Sequence, residues 1–134
     1  MKYACLVYYD ENEVYGMTPN DWNSLVGECL AYGDEVRASG HFLGGEALLP
    51  VEEATTLRVR NGKVSITDGP FAETKEQLAG FYLIEARDLN EAIQVASRIP
   101  PARYGSIEVR PVRELPREKS AEGFGCRFAP PSGD

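Results

Sequence analysis

Residues 2–9, "KYACLVYY", form an apolar run rich in β-formers and too short for a helix. Taken with period two, it puts Tyr3, Cys5, Val7 and Tyr9 on one side and Ala4, Leu6 and Tyr8 on the other. Asp10–Met17 reads as a polar loop. The next segment, "TPNDWNSLVGECLAYGDEVRASG", changes period. Thr18 is its N-cap, Pro19 takes the first helical position, and Asp21 stands three residues after the cap. Trp22, Leu25, Val26, Cys29, Leu30, Gly33 and Val36 then recur at helical spacing and predict one buried stripe, which Gly40 ends. "HFLGGEALL" predicts a short, irregular strand.

In "ATTLRVRNGKVSITD", Asn61-Gly62 is a two-residue hairpin turn. That turn sets Arg60 against Lys63, Val59 against Val64, Leu57 against Ile66 and Thr56 against Thr67. Both apolar pairs then share one face and both polar pairs the other, so the register is self-consistent. "AGFYLIEA" predicts a strand apolar on both faces at its middle. "DLNEAIQVASRI" predicts a helix capped by Asp88 with Glu91 at its third position, and Leu89, Ala92, Ile93, Ala96 and Ile99 form its stripe. Pro100-Pro101 stop it, and "GSIEVRPV" predicts a last strand.

The order β-α-β-(hairpin)-β-α-β predicts an α+β, ferredoxin-like antiparallel sheet with two helices on one face and an inserted β-hairpin. Two helices cover one face only, yet the first strand and Phe81–Ile84 are apolar on both sides. The second face therefore needs cover as well. A second copy of the same sheet supplies it by two-fold symmetry. The expectation is a homodimer packed sheet to sheet, with an inter-sheet cleft able to hold a small molecule. The domain is expected over residues 1–115. Residues 116–134 read as a tail, which Phe124, Cys126 and Phe128 would dock.

Charge changes the picture of partners. Residues 1–54 hold ten acidic against two basic residues, and the whole chain carries −7. No basic cluster exists for nucleic acid or anionic membrane to bind. An acidic first half remains compatible with a basic protein partner. Three cysteines, Cys5, Cys29 and Cys126, are widely spaced and odd in number. They suggest neither a disulfide framework nor a zinc site, and the expected compartment is the reducing cytoplasm. The first residues read as a strand and not a signal peptide, and no apolar run approaches the ~20 residues of a membrane helix. No metal and no cofactor are expected.

The chemistry-bearing stretch is "TDGPFAETKEQ", residues 67–77. Parity carries Asp68 onto the face of Val64 and Ile66. It either caps its own turn by accepting backbone N–H groups, or sits partly desolvated as a general acid or base. Phe71 either plugs the core edge or lines a site. Lys75 lies on a solvated, charge-rich connection or closes over an anionic ligand. Glu46, after Gly44-Gly45, calls for an arginine such as Arg58 or Arg60. His41, the one histidine, starts a strand; it cannot build a multi-histidine metal site. Tyr3, Tyr8, Tyr9 and Tyr82 belong to core or interface, with hydroxyls that could face a cleft.

The string from "GGEALLPVEEATTLRVRNGKVSITDGPFAETKEQ" through "LAGFYLIEARDLNEA", with "GSIEVRPV" after it, closely resembles the DGPF group of the YCII-related family over residues 1–115. The resemblance implies a dimeric α/β barrel built on a ferredoxin-like fold, with no established activity. Relatives are proposed to use a His–Asp pair near the dimer interface. Asp68 is the natural candidate for the acid; the first helix holds no histidine, and His41 would take that place from a strand. The family also implies association with an extracytoplasmic-function sigma factor. Two functions follow. One is a small-molecule binder, with cofactor-free acid/base chemistry of lyase or isomerase type. Its cleft would be lined by Asp68, Phe71, Glu46, Tyr82 and His41, with Arg58 and Lys75 as further ligand contacts. The other is a non-enzymatic accessory that docks a sigma factor through its acidic half.

Overall fold

The computed structural model describes residues 1–116. The expected docking residues Phe124, Cys126 and Phe128 lie outside them. Strand β1 (Lys2–Tyr9) is followed by helix α1 (Glu11–Tyr15), then α2 (Pro19–Ala38) and strand β2 (Phe42–Ala47). Strands β3 (Thr55–Arg60) and β4 (Lys63–Asp68) make the hairpin. Strand β5 (Gln77–Glu85), helix α3 (Leu89–Ala96) and strand β6 (Gly105–Pro111) complete the described chain. Short α1 stands where the sequence reads as loop. Its cap is local: Asp10 accepts from the Asn12 N–H at 3.0 Å, a few-residue signal too brief for periodicity to reveal.

The main sheet is antiparallel and four-stranded in the order β2-β5-β1-β6, the strand order of a ferredoxin-like fold. Both long helices start on the expected side-chain caps, Thr18 onto the Asp21 N–H at 3.1 Å and Asp88 onto the Glu91 N–H at 2.9 Å. They cover the face of Tyr3, Cys5, Val7 and Tyr9, all buried. Facing them are Leu25, Tyr32 and Val36 from α2 and Ala92, Val95 and Ala96 from α3. The Tyr32 hydroxyl donates to the Val95 carbonyl at 2.7 Å and ties the two helices together inside the core.

The stripe expected on α2 is split. Leu25, Tyr32 and Val36 go inward, whereas Trp22, Val26 and Leu30 are 36%, 37% and 67% exposed. Seven residues recurring over four turns span more than the arc one sheet can cover, and Tyr32, left out of the expected stripe, takes the inner line. Trp22 instead packs at a tilt on Tyr15, ring centres 5.6 Å apart, and Tyr15 meets Tyr9 edge to face at 6.3 Å. On α3, Leu89 and Ile93 are likewise exposed while Val95 is buried.

The hairpin has the expected register, Thr56↔Thr67, Leu57↔Ile66, Val59↔Val64 and Arg60↔Lys63, with Asn61 and Gly62 at φ 53° and 76°. It is a separate two-stranded ribbon and does not join the main sheet. Its base is anchored by Glu11. That carboxylate accepts from the Val51 N–H at 3.0 Å, and the Glu11 N–H donates to the Gln77 side-chain oxygen at 2.9 Å.

Candidate functional site

Among the described residues no helix lies over the second face of the main sheet. Strand pairing sets Glu46, Phe81, Leu6 and Glu108 in one row across it, and Gly44, Leu83, Ala4 and Arg110 in the next. Tyr8, Leu78 and Ser106 continue the surface. Phe81 and Leu78 are 38% and 36% exposed, and Ala4, Leu6, Tyr8 and Leu83 are half-buried. The two adjacent glycines do different jobs. Gly45 faces the helices, where a Cβ would lie 2.6 Å from the Phe81 carbonyl oxygen. Gly44 faces the open side, where a Cβ would touch nothing, so it leaves a recess beside Leu83. Arg110 Nε donates to Glu108 at 2.8 Å at the edge of this face. Glu46 stands at the other edge, exposed.

Neither expected arginine pairs with Glu46. Arg58 donates to the Phe71 carbonyl at 3.4 Å and Arg60 to the Val59 carbonyl at 3.1 Å. Both sit on the hairpin's polar face, and the hairpin leaves the sheet, which is why sequence proximity does not become contact. Glu46 and Asp68 are both carboxylates without a cation beside them among the described residues.

Asp68 closes β4 opposite Thr55 and is exposed. It neither caps the turn nor sits desolvated in the single chain. The corner is held by other groups. Gly69, at φ 102°, donates its N–H to the Ala54 carbonyl at 2.7 Å, and its own carbonyl accepts from the Thr56 hydroxyl at 2.8 Å. Glycine is required at that φ. Phe71 is 76% exposed, so it plugs no core edge. Lys75 is exposed on the connection to β5.

His41 lies at the opposite end of the sheet. Its carbonyl accepts from the Glu85 N–H at 2.8 Å, at the far end of β5 from Gln77 and the hairpin base. Nine strand residues, roughly 27 Å, separate those ends. No His41–Asp68 dyad forms within one chain. Instead His41 Nδ1 is 2.7 Å from the Ser39 hydroxyl and Nε2 is 3.4 Å from Glu91 Oε1. A carboxylate only accepts, so Nε2 carries the proton there. Ser39 also lies 2.9 Å from the Val36 carbonyl. Glu91 also accepts from the Arg87 N–H at 3.0 Å and from the Arg87 guanidinium at 2.9 Å. That N–H first, then the Arg87 and His41 charges, hold its carboxyl below the usual range.

These groups line a groove of about 320 Å³ between α2 and α3, with Tyr32 at its floor and the Glu35–Arg98 ion pair at its rim. Both ring nitrogens of His41 are engaged, and the groove's charges are paired. It clamps the C-terminus of α2 to the start of α3. Tyr82 also leaves the expected cleft. It faces the helices, its ring 5.5 Å from that of Tyr32 and at 87° to it, and burial pushes its hydroxyl pKa up. Burial likewise lifts the Cys5 thiol to about 11, which makes it a poor nucleophile.

Of the residues singled out from sequence, Glu46 and Tyr8 are on the open face. Leu6, Leu83, Glu108 and Arg110 were missed as site residues. Strand parity marks each as facing one side, but only the pairing order brings β6 beside β1. Among the described residues no cluster of metal-ligating side chains occurs, and no helix is long and apolar enough to cross a membrane.

Two comparisons bear on this geometry. The model of the YCII-related domain family matches residues 1–116, all of the described chain. An uncharacterized protein of Rhizobium meliloti (strain 1021) is 38% identical over 114 residues, covering 84% of this chain and 92% of that protein.

Proposed function

The chain belongs to the YCII-related family, and from that premise we propose a homodimer that binds a small organic molecule between two facing sheets. The uncovered apolar face of the main sheet carries this reading. Phe81, Leu78, Leu6 and Leu83 expose a contiguous apolar surface of the kind that marks interaction and ligand sites. Two such faces, related by a two-fold axis, enclose a chamber with an apolar floor and a recess at each Gly44.

Glu46 gives the chamber a carboxylate with no cation beside it among the described residues. The favoured ligand is therefore a part-apolar molecule presenting an amine or another hydrogen-bond donor. Any proton transfer falls to Glu46 or Asp68, since His41 is engaged elsewhere. "Asp68-Gly69-Pro70-Phe71" supports placing the chain in the DGPF group. Free thiols at Cys5 and Cys29 accord with a cytoplasmic setting.

The test pairs sedimentation with a metabolite thermal-shift screen on wild type and on Leu6→Asp. Wild type should dimerise at micromolar concentration and gain melting temperature with an amine-bearing metabolite; Leu6→Asp should stay folded, monomeric and unresponsive. A monomeric wild type, or equal ligand shifts in both proteins, overturns the proposal.

A further inference from the structure

The hairpin carries a second uncovered apolar surface. Leu57, Val59, Val64 and Ile66 share one face of the ribbon and are 61%, 53%, 62% and 68% exposed. Phe71, whose carbonyl accepts from Arg58 on the ribbon, is 76% exposed. The opposite face holds Arg58, Arg60 and Lys63 and is suited to water. A lone two-stranded hairpin is marginal in water, and this one wears its apolar side outward. The described residues do not cover that side.

We propose that the β3–β4 hairpin is an exchanged arm, packing its apolar face on the second copy of this chain alongside the sheet contact and delivering Asp68 to that copy's chamber. The inference rests on the dimer reading above. Area identifies the occupant. A fully exposed aliphatic side chain offers about 100 Å² of apolar surface and an aromatic about 200 Å². At the exposures seen, the four aliphatic residues of the arm present roughly 250 Å² and the open sheet face roughly 200 Å². A stable interface buries ~800 Å² per partner, somewhat more than half of it apolar. The sheet alone falls short, and sheet plus arm suffices. Two-fold symmetry closes both surfaces at once, since each copy owns one arm and one sheet face.

Parity then fixes which chemistry travels with the arm. Asp68 follows Val64 and Ile66 at period two, so it shares the covered face while the basic residues do not. A carboxylate exposed in the single chain becomes a wall of the other copy's chamber. A complete site therefore needs two chains.

The full chain tests this by sedimentation and by hydrogen exchange at several concentrations. The variants are Leu57→Ser/Ile66→Ser on the arm and Leu6→Asp on the sheet. Because both arm positions are exposed in one chain, the arm variant should keep its fold. The expected result is a dimer dissociation constant raised on the order of 100-fold by the arm variant, a loss of four apolar contacts per dimer. Wild-type amides of β3 and β4 should gain protection with concentration, and those of Leu6→Asp should not. If Leu6→Asp dissociates while the arm variant dimerises as wild type, the arm proposal is overturned and the dimer stands. If wild type is monomeric throughout, both go.

Discussion

Replacing one isoleucine by alanine at two places separates what the single chain holds together from what it leaves uncovered. Ile84, on β5 under the helices, is 0% exposed. Ile84→Ala removes three carbons, worth about 2.4 kcal/mol at ~0.8 kcal/mol each, and leaves a cavity in a packed core. The total expected cost is about 3–4 kcal/mol, within the range for such truncations. For a domain of this size that lowers the melting temperature by about 10–15 °C. Ile66 is 68% exposed, so Ile66→Ala forfeits about a third of the same transfer energy, under ~1 kcal/mol. Thermal and urea unfolding, run at nanomolar concentration where self-association is negligible, should give these two values. Equal costs at that dilution would refute the burial reasoning, because the hairpin would then be packed within its own chain.

Other expectations come from single contacts. Tyr32→Phe removes the buried donor to the Val95 carbonyl and should cost about 1–2 kcal/mol in urea unfolding, since that carbonyl loses its side-chain partner. Gly45→Ala would force a Cβ to 2.6 Å from a carbonyl oxygen and should cost about 1–3 kcal/mol, whereas Gly44→Ala, with open space around it, should be near neutral in the dilute monomer. The carboxyl of Glu91 is lowered in the folded chain, so its stabilisation is complete above the unfolded carboxylate pKa of ~4.3 and fades as pH falls through the lowered value. The melting-temperature gap between wild type and Glu91→Gln should therefore hold from pH 7 to 5 and shrink below about 4; a gap that widens on acidification would contradict that sign.

Local signals carried much of this protein in its sequence. The caps at Thr18 and Asp88, the Asn61-Gly62 turn and the cross-strand pairs of the hairpin each depend on residues two to four apart, and each appears as read. The two-faced pattern of β1 also announced that helices alone would not finish the sheet. Tertiary structure decided the rest, because it turns on which strand lies beside which. The β2-β5-β1-β6 order alone sets Glu108 and Arg110 next to Leu6 and Ala4. It puts Tyr82 under Tyr32 and not on the open face. It carries His41 and Asp68 to opposite ends of β5, and it leaves the hairpin outside the main sheet. Side-chain period fixes a face within one strand, whereas a site is made by several strands whose pairing no local spacing records.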